Sequence, residues 1–231
     1  MLRMRLSYTK TKEASYILSE DMMYVLDRAL TRIGVYVEYD KDQSPSVIIA
    51  SSLPQGIDST EEMCDVYISE YMDPTFVVKG INNFLPKGIV VLSAEYVEDN
   101  VPLISEQVYA SEFEIVPEYE NIDKMTKREL LDLRAWYREK LSEYLNEGNI
   151  LVLIKSSTRN ERIDIKPNIL EYSININDGL RITVSNDTQY VFNPNFIMDG
   201  FIEFVDKPIK YSIRRTKILY KWWQEEKCQT H

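Results

Sequence analysis

The chain has 231 residues, 44% hydrophobic and 11% aromatic, with a net charge of −10. That composition supplies a buried core and excludes a disordered chain, and no apolar run reaches the ~18 residues of a membrane span. The one histidine is His231 and the two cysteines, Cys64 and Cys228, form no pair motif. Ser-His-Asp and Cys-His catalysis, a His-based zinc site and a self-sufficient iron–sulfur cluster are therefore excluded.

In chain order, Leu2 to Thr9 sets Leu2, Met4, Leu6 and Tyr8 against Arg3, Arg5 and Ser7. This alternation predicts a half-buried strand. Ser19 offers an N-cap, with Glu20 and Asp21 in the first turn where the helix dipole favours them. Met22, Leu26, Ala29 and Ile33 recur at helical spacing, and Gly34 ends the helix. Val35–Tyr39 and Val47–Ala50 read as strands around a polar turn, and Met63–Ser69 as another. Asp73-Pro74 opens a second helix, cap followed by proline, which Pro86 and Gly88 stop. Gly88–Val97 is a strand again, which completes the order β-α-β-β-α-β.

The second half repeats that order. Tyr109–Val116 alternates as a strand, and Thr126-Lys127-Arg128-Glu129 is a capping box. It opens the longest helix, with Leu130, Leu133, Tyr137, Leu141 and Tyr144 on one stripe and Gly148 closing it. Ile150–Lys155, Arg162–Ile165 and Leu170–Ile176 read as strands, and Asn177-Asp178-Gly179 as a hairpin turn into Leu180–Val184. Asn193-Pro194 starts a helix as Asp73-Pro74 does, and Ile209–Tyr220 is a long last strand. The expected class is α+β: two tandem ferredoxin-like halves with mainly antiparallel sheets, residues 1–105 and 106–231, joined near Pro102 to Glu106. The shared Asx-Pro helix start fits a duplication, and equally fits chance.

None of the seven glycines forms a GxGxxG or Walker A loop, so classical dinucleotide and P-loop sites are absent. Residues 1–107 hold 9 Lys/Arg against 17 Asp/Glu, and residues 108–231 hold 18 against 20. The acidic first half repels a phosphate backbone, so nucleic-acid contact is expected only from the second. Met1 to Lys12 has no apolar h-region, and two thiols without a pairing pattern suit a reducing compartment; a cytoplasmic protein is expected.

The run from Tyr16 to Gly34, with Leu53-Pro54-Gln55-Gly56-Ile57-Asp58-Ser59, Phe84-Leu85-Pro86-Lys87-Gly88, Ile163-Asp164-Ile165-Lys166-Pro167 and Arg214-Arg215-Thr216, resembles a bacterial family of radical-SAM-linked proteins of unknown function. That family occurs as a standalone chain or C-terminal to cobalamin-binding radical-SAM proteins. The similarity spans about the whole chain and is specific as a set. Two segments depart from the family pattern. Where it reads Leu-Ser-His-Leu-Asp, this chain has Ile17-Leu18-Ser19-Glu20-Asp21, so Ser19 stands at the histidine position and Asp21 and Arg28 are the polar matches. Asp42-Gln43-Ser44-Pro45-Ser46 replaces Gly-Phe-Asn-Pro-His-Pro. The resemblance implies a radical-SAM protein as partner.

Three groups of residues are candidates for partner or ligand binding. Asp164 and Lys166 alternate with isoleucines, so they project from one strand face and orient a polar ligand, or form a weak exposed ion pair. Arg214, Arg215 and Lys217, with Lys210 and Lys221, interleave with Tyr211, Tyr220, Trp222 and Trp223. That pattern suits RNA through phosphate contact and stacking, or a charged edge strand. Ser19, Asp21 and Arg28 mark a polar helix start, or a plain cap. No catalytic set, metal site or cofactor is expected. Three functions stand open: an accessory protein of a radical-SAM system, an RNA-binding adaptor in tRNA or rRNA modification, and a cofactor-free enzyme. No membrane or DNA partner is expected.

Overall fold

The structure, a computed structural model, describes residues 1–155, 160–186 and 192–221. It is an α+β protein with a large, mixed and mostly antiparallel sheet. The chain divides into two compact units, Met1–Tyr109 with the stretch from Arg215, and Ala110–Arg214. Unit 1 holds β1 (Leu2–Lys10), α1 (Ser19–Arg32), β2 (Val47–Ile49), β3 (Asp58–Ile68), α2 (Pro74–Ile81), β4 (Ile89–Val97) and α3 (Ile104–Gln107). Unit 2 holds most of β5 (Val108–Glu118), then α4 (Lys127–Asn146), β6 (Leu151–Lys155), β7 (Asn160–Asp164), β8 (Ile169–Ile174), β9 (Leu180–Ser185) and α5 (Asn195–Val205). It also holds the start of β10 (Lys210–Tyr220), whose end belongs to unit 1.

In unit 1, β1 lies between β3 and β4, antiparallel to both, and β2 pairs with the end of β3. Met4, Leu6 and Tyr8 of β1, each at most 1% exposed, join Met22, Leu26 and Leu30 of α1 and Val77 and Ile81 of α2 in one core. The helical spacing seen in the sequence is the stripe that makes this contact. Gly34, at φ 79°, ends α1: its N–H bonds to the Thr31 carbonyl, and the Val35 N–H to that of Leu30, at 3.0 Å each. This pair of bonds satisfies the last carbonyls of the helix. Asp73 caps α2, its carboxylate accepting from the Phe76 N–H at 2.9 Å.

Several expectations need correction. The helix cap is Leu18, and Ser19 is already the first helical residue, with no side-chain cap bond. Val35–Tyr39 forms no continuous strand; it makes isolated bridges at Val37 and Tyr39. Asn193-Pro194 does not repeat Asp73-Pro74, because Pro194 itself is the cap and the Asn193 side chain accepts from the Asn195 N–H, two residues on, at 3.0 Å.

The largest correction concerns the second face of β1. Arg3 and Arg5 are 4% and 7% exposed, not solvated. Arg5 makes a two-point ion pair with Asp65, at 2.7 and 3.0 Å, and Asp65 also accepts from the Ile104 N–H at 3.0 Å. Arg3 donates to the carbonyls of Glu98 and Val101. Arg215, 1% exposed, grips Glu62 with contacts of 2.5 to 3.0 Å and donates to the Ser51 carbonyl at 3.0 Å. In a period-2 strand an arginine every second residue reads as an outer face, and only tertiary pairing reverses that reading.

Removing one partner of a buried ion pair strands the other charge, at a cost of about 3–5 kcal/mol. Glu62→Ala and Arg215→Met are each expected to lower stability by that amount in urea unfolding. The double variant recovers part of the loss; a loss below ~1 kcal/mol for either single change refutes the buried pairing.

Tyr8, Tyr137, Tyr144 and Tyr220 are at most 4% exposed, and burial lifts the pKa of each well above the ordinary 10.0. A folded pKa above the unfolded one gives stability that is fully present below pH 10 and lost as pH rises through the folded values. Unfolding free energy is therefore expected to fall above pH 10. Absorbance at 295 nm checks the mechanism: these tyrosines ionise together with loss of structure, whereas independent titration near pH 10 in the native state contradicts their burial.

Candidate functional site

The site is built within unit 2, and it begins at the capping box. The Thr126 hydroxyl accepts from the Glu129 N–H at 3.2 Å, and the Glu129 carboxylate accepts from the Thr126 N–H at 2.8 Å. The start of α4 is thereby fixed. Leu133, Trp136 and Tyr137 then fall on one side of the helix, three and four residues apart. Tyr137 is 1% exposed and meets Phe201 and Tyr119 edge-on, with ring centroids 5.5 and 6.2 Å apart.

Asp178 holds this arrangement from the β8–β9 turn. Its backbone is left-handed, at φ 66°, and it is fully buried. Arg134 of α4 reaches it at 2.5 Å, Arg138 at 3.4 Å, and the Tyr119 hydroxyl donates to it at 3.1 Å. Burial, and then the Asp178 charge, raise the pKa of Tyr119 and Tyr137 above the ordinary value. The carboxylate belongs to α4's support: Oδ2 accepts from Arg134 and from the Tyr119 hydroxyl, while Oδ1 faces Arg138 at ion-pair distance with no hydrogen bond of its own.

Beside this support lies a cavity of about 320 Å³, between α4, the end of β5 and the turn from α5 into β10. Its wall is apolar and aromatic: Met125, Leu133, Trp136, Tyr119, Pro208 and Ile209. Four charges stand around it, Glu118, Glu120, Lys207 and Lys210. The Lys207 ammonium sits over the Trp136 ring, 4.6 Å from its centre. Lys210 pairs with Glu120 at 2.6 Å, and this bond raises the lysine's pKa and lowers the glutamate's. A concave, mostly apolar site with a few placed charges is what a binding pocket requires.

The residues singled out in the sequence are not brought together here. Asp164 ends β7, and its carboxylate accepts from the Ile150 and Lys166 N–H groups at 2.8 and 3.0 Å. Lys166 lies beyond the strand in a 3-10 turn, and its ammonium bonds to the Leu145 carbonyl. The expectation that both project from one strand face is corrected: the strand stops at Asp164, and each side chain ties down backbone. Arg214 is exposed, but Arg215 is enclosed with Glu62, so the two do not form one basic patch. Arg215 is a candidate for partner binding from the sequence, but its guanidinium is enclosed against Glu62, so replacing it is expected to disturb the fold. Lys210 is paired with Glu120, Lys221 donates to the Glu106 carbonyl at 2.8 Å, and Tyr220 is buried. Asp21 and Arg28 are both exposed on α1, two turns apart. Trp222 and Trp223 lie outside the described residues.

Sequence reasoning missed Trp136 and Lys207. Trp136 stands beside the predicted stripe residue Tyr137, and its large ring next to an apolar stripe was the available signal. Lys207 carries no signal, since only the turn after α5 places it over Trp136.

Residues 3–194 match the model of a family described as "uncharacterized protein conserved in bacteria", DUF2344. The chain belongs to this family. The match agrees with the expected uncharacterised bacterial family over most of the chain, and it stops before α5. No curated protein matches the chain. Among solved structures it is similar to an unknown protein from Galdieria sulphuraria, 12% identical over 93% of this chain and 98% of that one, with a TM-score of 0.29. A likeness of that size supports no conclusion about fold or function. No described helix is long and apolar enough to cross a membrane.

The two kinds of ion pair in this unit predict different costs. Asp178→Ala removes the carboxylate on which Arg134 and Arg138 converge; both guanidiniums reach solvent, at 28% and 44% exposure, so the expected loss of stability is that of the hydrogen bonds to a charged group, about 1.5–3 kcal/mol. Lys210→Ala removes an exposed pair and is expected to cost at most ~1 kcal/mol. Urea midpoints of the two variants measure the contrast, and equal losses contradict the supporting role of Asp178.

Proposed function

We propose that this protein is a non-catalytic accessory protein of a radical-SAM enzyme system, and that it docks its partner through unit 2. The observation that carries this reading is the cavity beside Trp136: a preformed apolar recess ringed by charges, of the kind that receives a group from another molecule. The link to a radical-SAM enzyme rests on the motif resemblance, in particular the runs from Tyr16 to Gly34 and from Ile163 to Pro167.

We also infer that the two halves, meeting near residue 105, share the ferredoxin-like plan. The support is connectivity. In the first half, β1-α1-β2-β3-α2-β4 pairs in the order β4-β1-β3, with β2 on β3. In the second, β5-α4-β8-β9-α5-β10 pairs in the order β10-β5-β9-β8, and the β6–β7 hairpin is an insertion after α4. The same positional order with one insertion is the pattern of a duplication.

The RNA-adaptor reading is not carried forward, because in β10 Arg215 and Tyr220 are buried and Lys210 is paired with Glu120, which leaves the exposed Arg214 without a neighbouring basic patch. The accessory role is tested by mixing the purified protein with radical-SAM enzymes of the host bacterium and following complex formation by size exclusion with light scattering. A stoichiometric complex at micromolar concentration is expected, weakened by Trp136→Ala. Failure of every such enzyme to bind refutes the reading.

A further inference from the structure

The cavity beside Trp136 also specifies the charge of what enters it. The Trp136 ring already holds a cation, the Lys207 ammonium, at 4.6 Å from its centre. An aromatic face attracts a cation through its quadrupole, so this wall is a working cation seat. Lys207 is an exposed side chain just after Asp206, whose backbone is left-handed at φ 49°, and just before Pro208. Its backbone is constrained on both sides while its side chain stays at the solvent boundary. It occupies the seat without filling the recess behind it.

The rim adds a second indication. Two carboxylates, Glu118 and Glu120, stand at the cavity beside one ammonium, Lys210, which pairs with Glu120 at 2.6 Å. With Lys207 withdrawn, the remaining charges at the mouth favour a cation. Residues 108–231, which hold the cavity, carry 18 Lys/Arg against 20 Asp/Glu, a slight acidic excess that does not oppose a basic partner. The apolar wall of Leu133, Met125 and Ile209 suits a hydrocarbon stem, and about 320 Å³ lies at the small end of ligand pockets, where one long side chain with its flanking backbone fits.

We propose that this cavity receives a lysine or arginine side chain from a basic segment of a partner polypeptide, which replaces Lys207 on the Trp136 face and lays its stem along the apolar wall. The proposal rests on the reading that unit 2 is the docking unit. Lys207 is then an internal competitor that the partner must displace.

The test follows the indole N–H signal of Trp136 in ¹⁵N NMR, assigned with Trp136→Phe. The full chain is titrated with four pentapeptides that differ only in a central lysine, arginine, norleucine or glutamate. Saturable shifts are expected with lysine and arginine. Norleucine, which keeps the stem and lacks the charge, should bind about two- to fivefold more weakly, the range of an exposed cation–π contact, and glutamate weaker still. Lys207→Ala should tighten the lysine peptide by a similar factor, and Glu118→Gln should weaken it. Norleucine or glutamate binding as tightly as lysine overturns the proposal, and that comparison uses the unaltered protein, so no variant's folding enters it. An unchanged or weaker affinity in Lys207→Ala overturns it too. The two readings fail separately. A radical-SAM enzyme that binds Trp136→Ala at full strength keeps the accessory role and removes this site. A lysine peptide that seats as described, with no radical-SAM complex, does the reverse.

Discussion

Carboxylates buried against arginine are the constraint on which the rest of this structure depends. Asp65, Glu62 and Asp178 are each at most 2% exposed, and each is met by at least one guanidinium. A lone buried charge is expensive, so each of these groups dictates where a cationic side chain must go. In unit 1 the pairs Arg5–Asp65 and Arg215–Glu62 fix partners far apart in sequence, 60 and 153 residues respectively. The second pair ties the last strand to β3, with Thr60 donating to the Arg215 carbonyl at 3.4 Å. Apolar contacts are interchangeable within a core, whereas a two-point arginine–carboxylate bond accepts one geometry. These pairs therefore specify register and placement more than they add net stability.

Unit 2 uses the same device for a different end. Asp178 can face α4 because its turn places it in a left-handed conformation that aspartate tolerates. Two arginines one helical turn apart, Arg134 and Arg138, then converge on one carboxylate and fix the rotation of α4. That rotation decides which residues face the core and which the cavity. Tyr137 goes inward against Phe201, and Trp136 lines the recess where Lys207 meets it. A turn residue thus sets the geometry of a cavity wall that it touches at Tyr119.

Much of the fold was legible because its signals are local. The stripe of α1, the Asp73 cap, the Thr126–Glu129 capping box and the final strand all rest on residues within one or two turns of each other, and each appears where expected. The largest misreading has a tertiary cause. Arg3, Arg5 and Arg215 look solvated in a strand pattern, and only residues such as Asp65 and Glu62, distant in sequence, bury them. Ser19 has the right chemistry for a cap but stands one residue too late. The cavity was illegible for the same reason, since Trp136 and Lys207 are 71 positions apart and meet only through the turn after α5.

This separation changes which residues deserve to be regarded as a site. Lysine and arginine in a sequence invite a binding role, but a cation that already holds a buried partner is costly to recruit. Arg215 would have to abandon Glu62 and leave that carboxylate alone in the interior, a penalty of about 3–5 kcal/mol that would offset an ordinary charge-assisted contact of about 1.5–3. Lys166 gives its ammonium to a helix-end carbonyl, which stabilises the close of α4. Lys207 differs in kind. Its contact is with a ring face at the solvent boundary, worth only about 0.5–1 kcal/mol, so it exchanges for another cation at little cost. The weakest of these cationic contacts is thus the one available for recognition, and the strong ones belong to the scaffold that holds it.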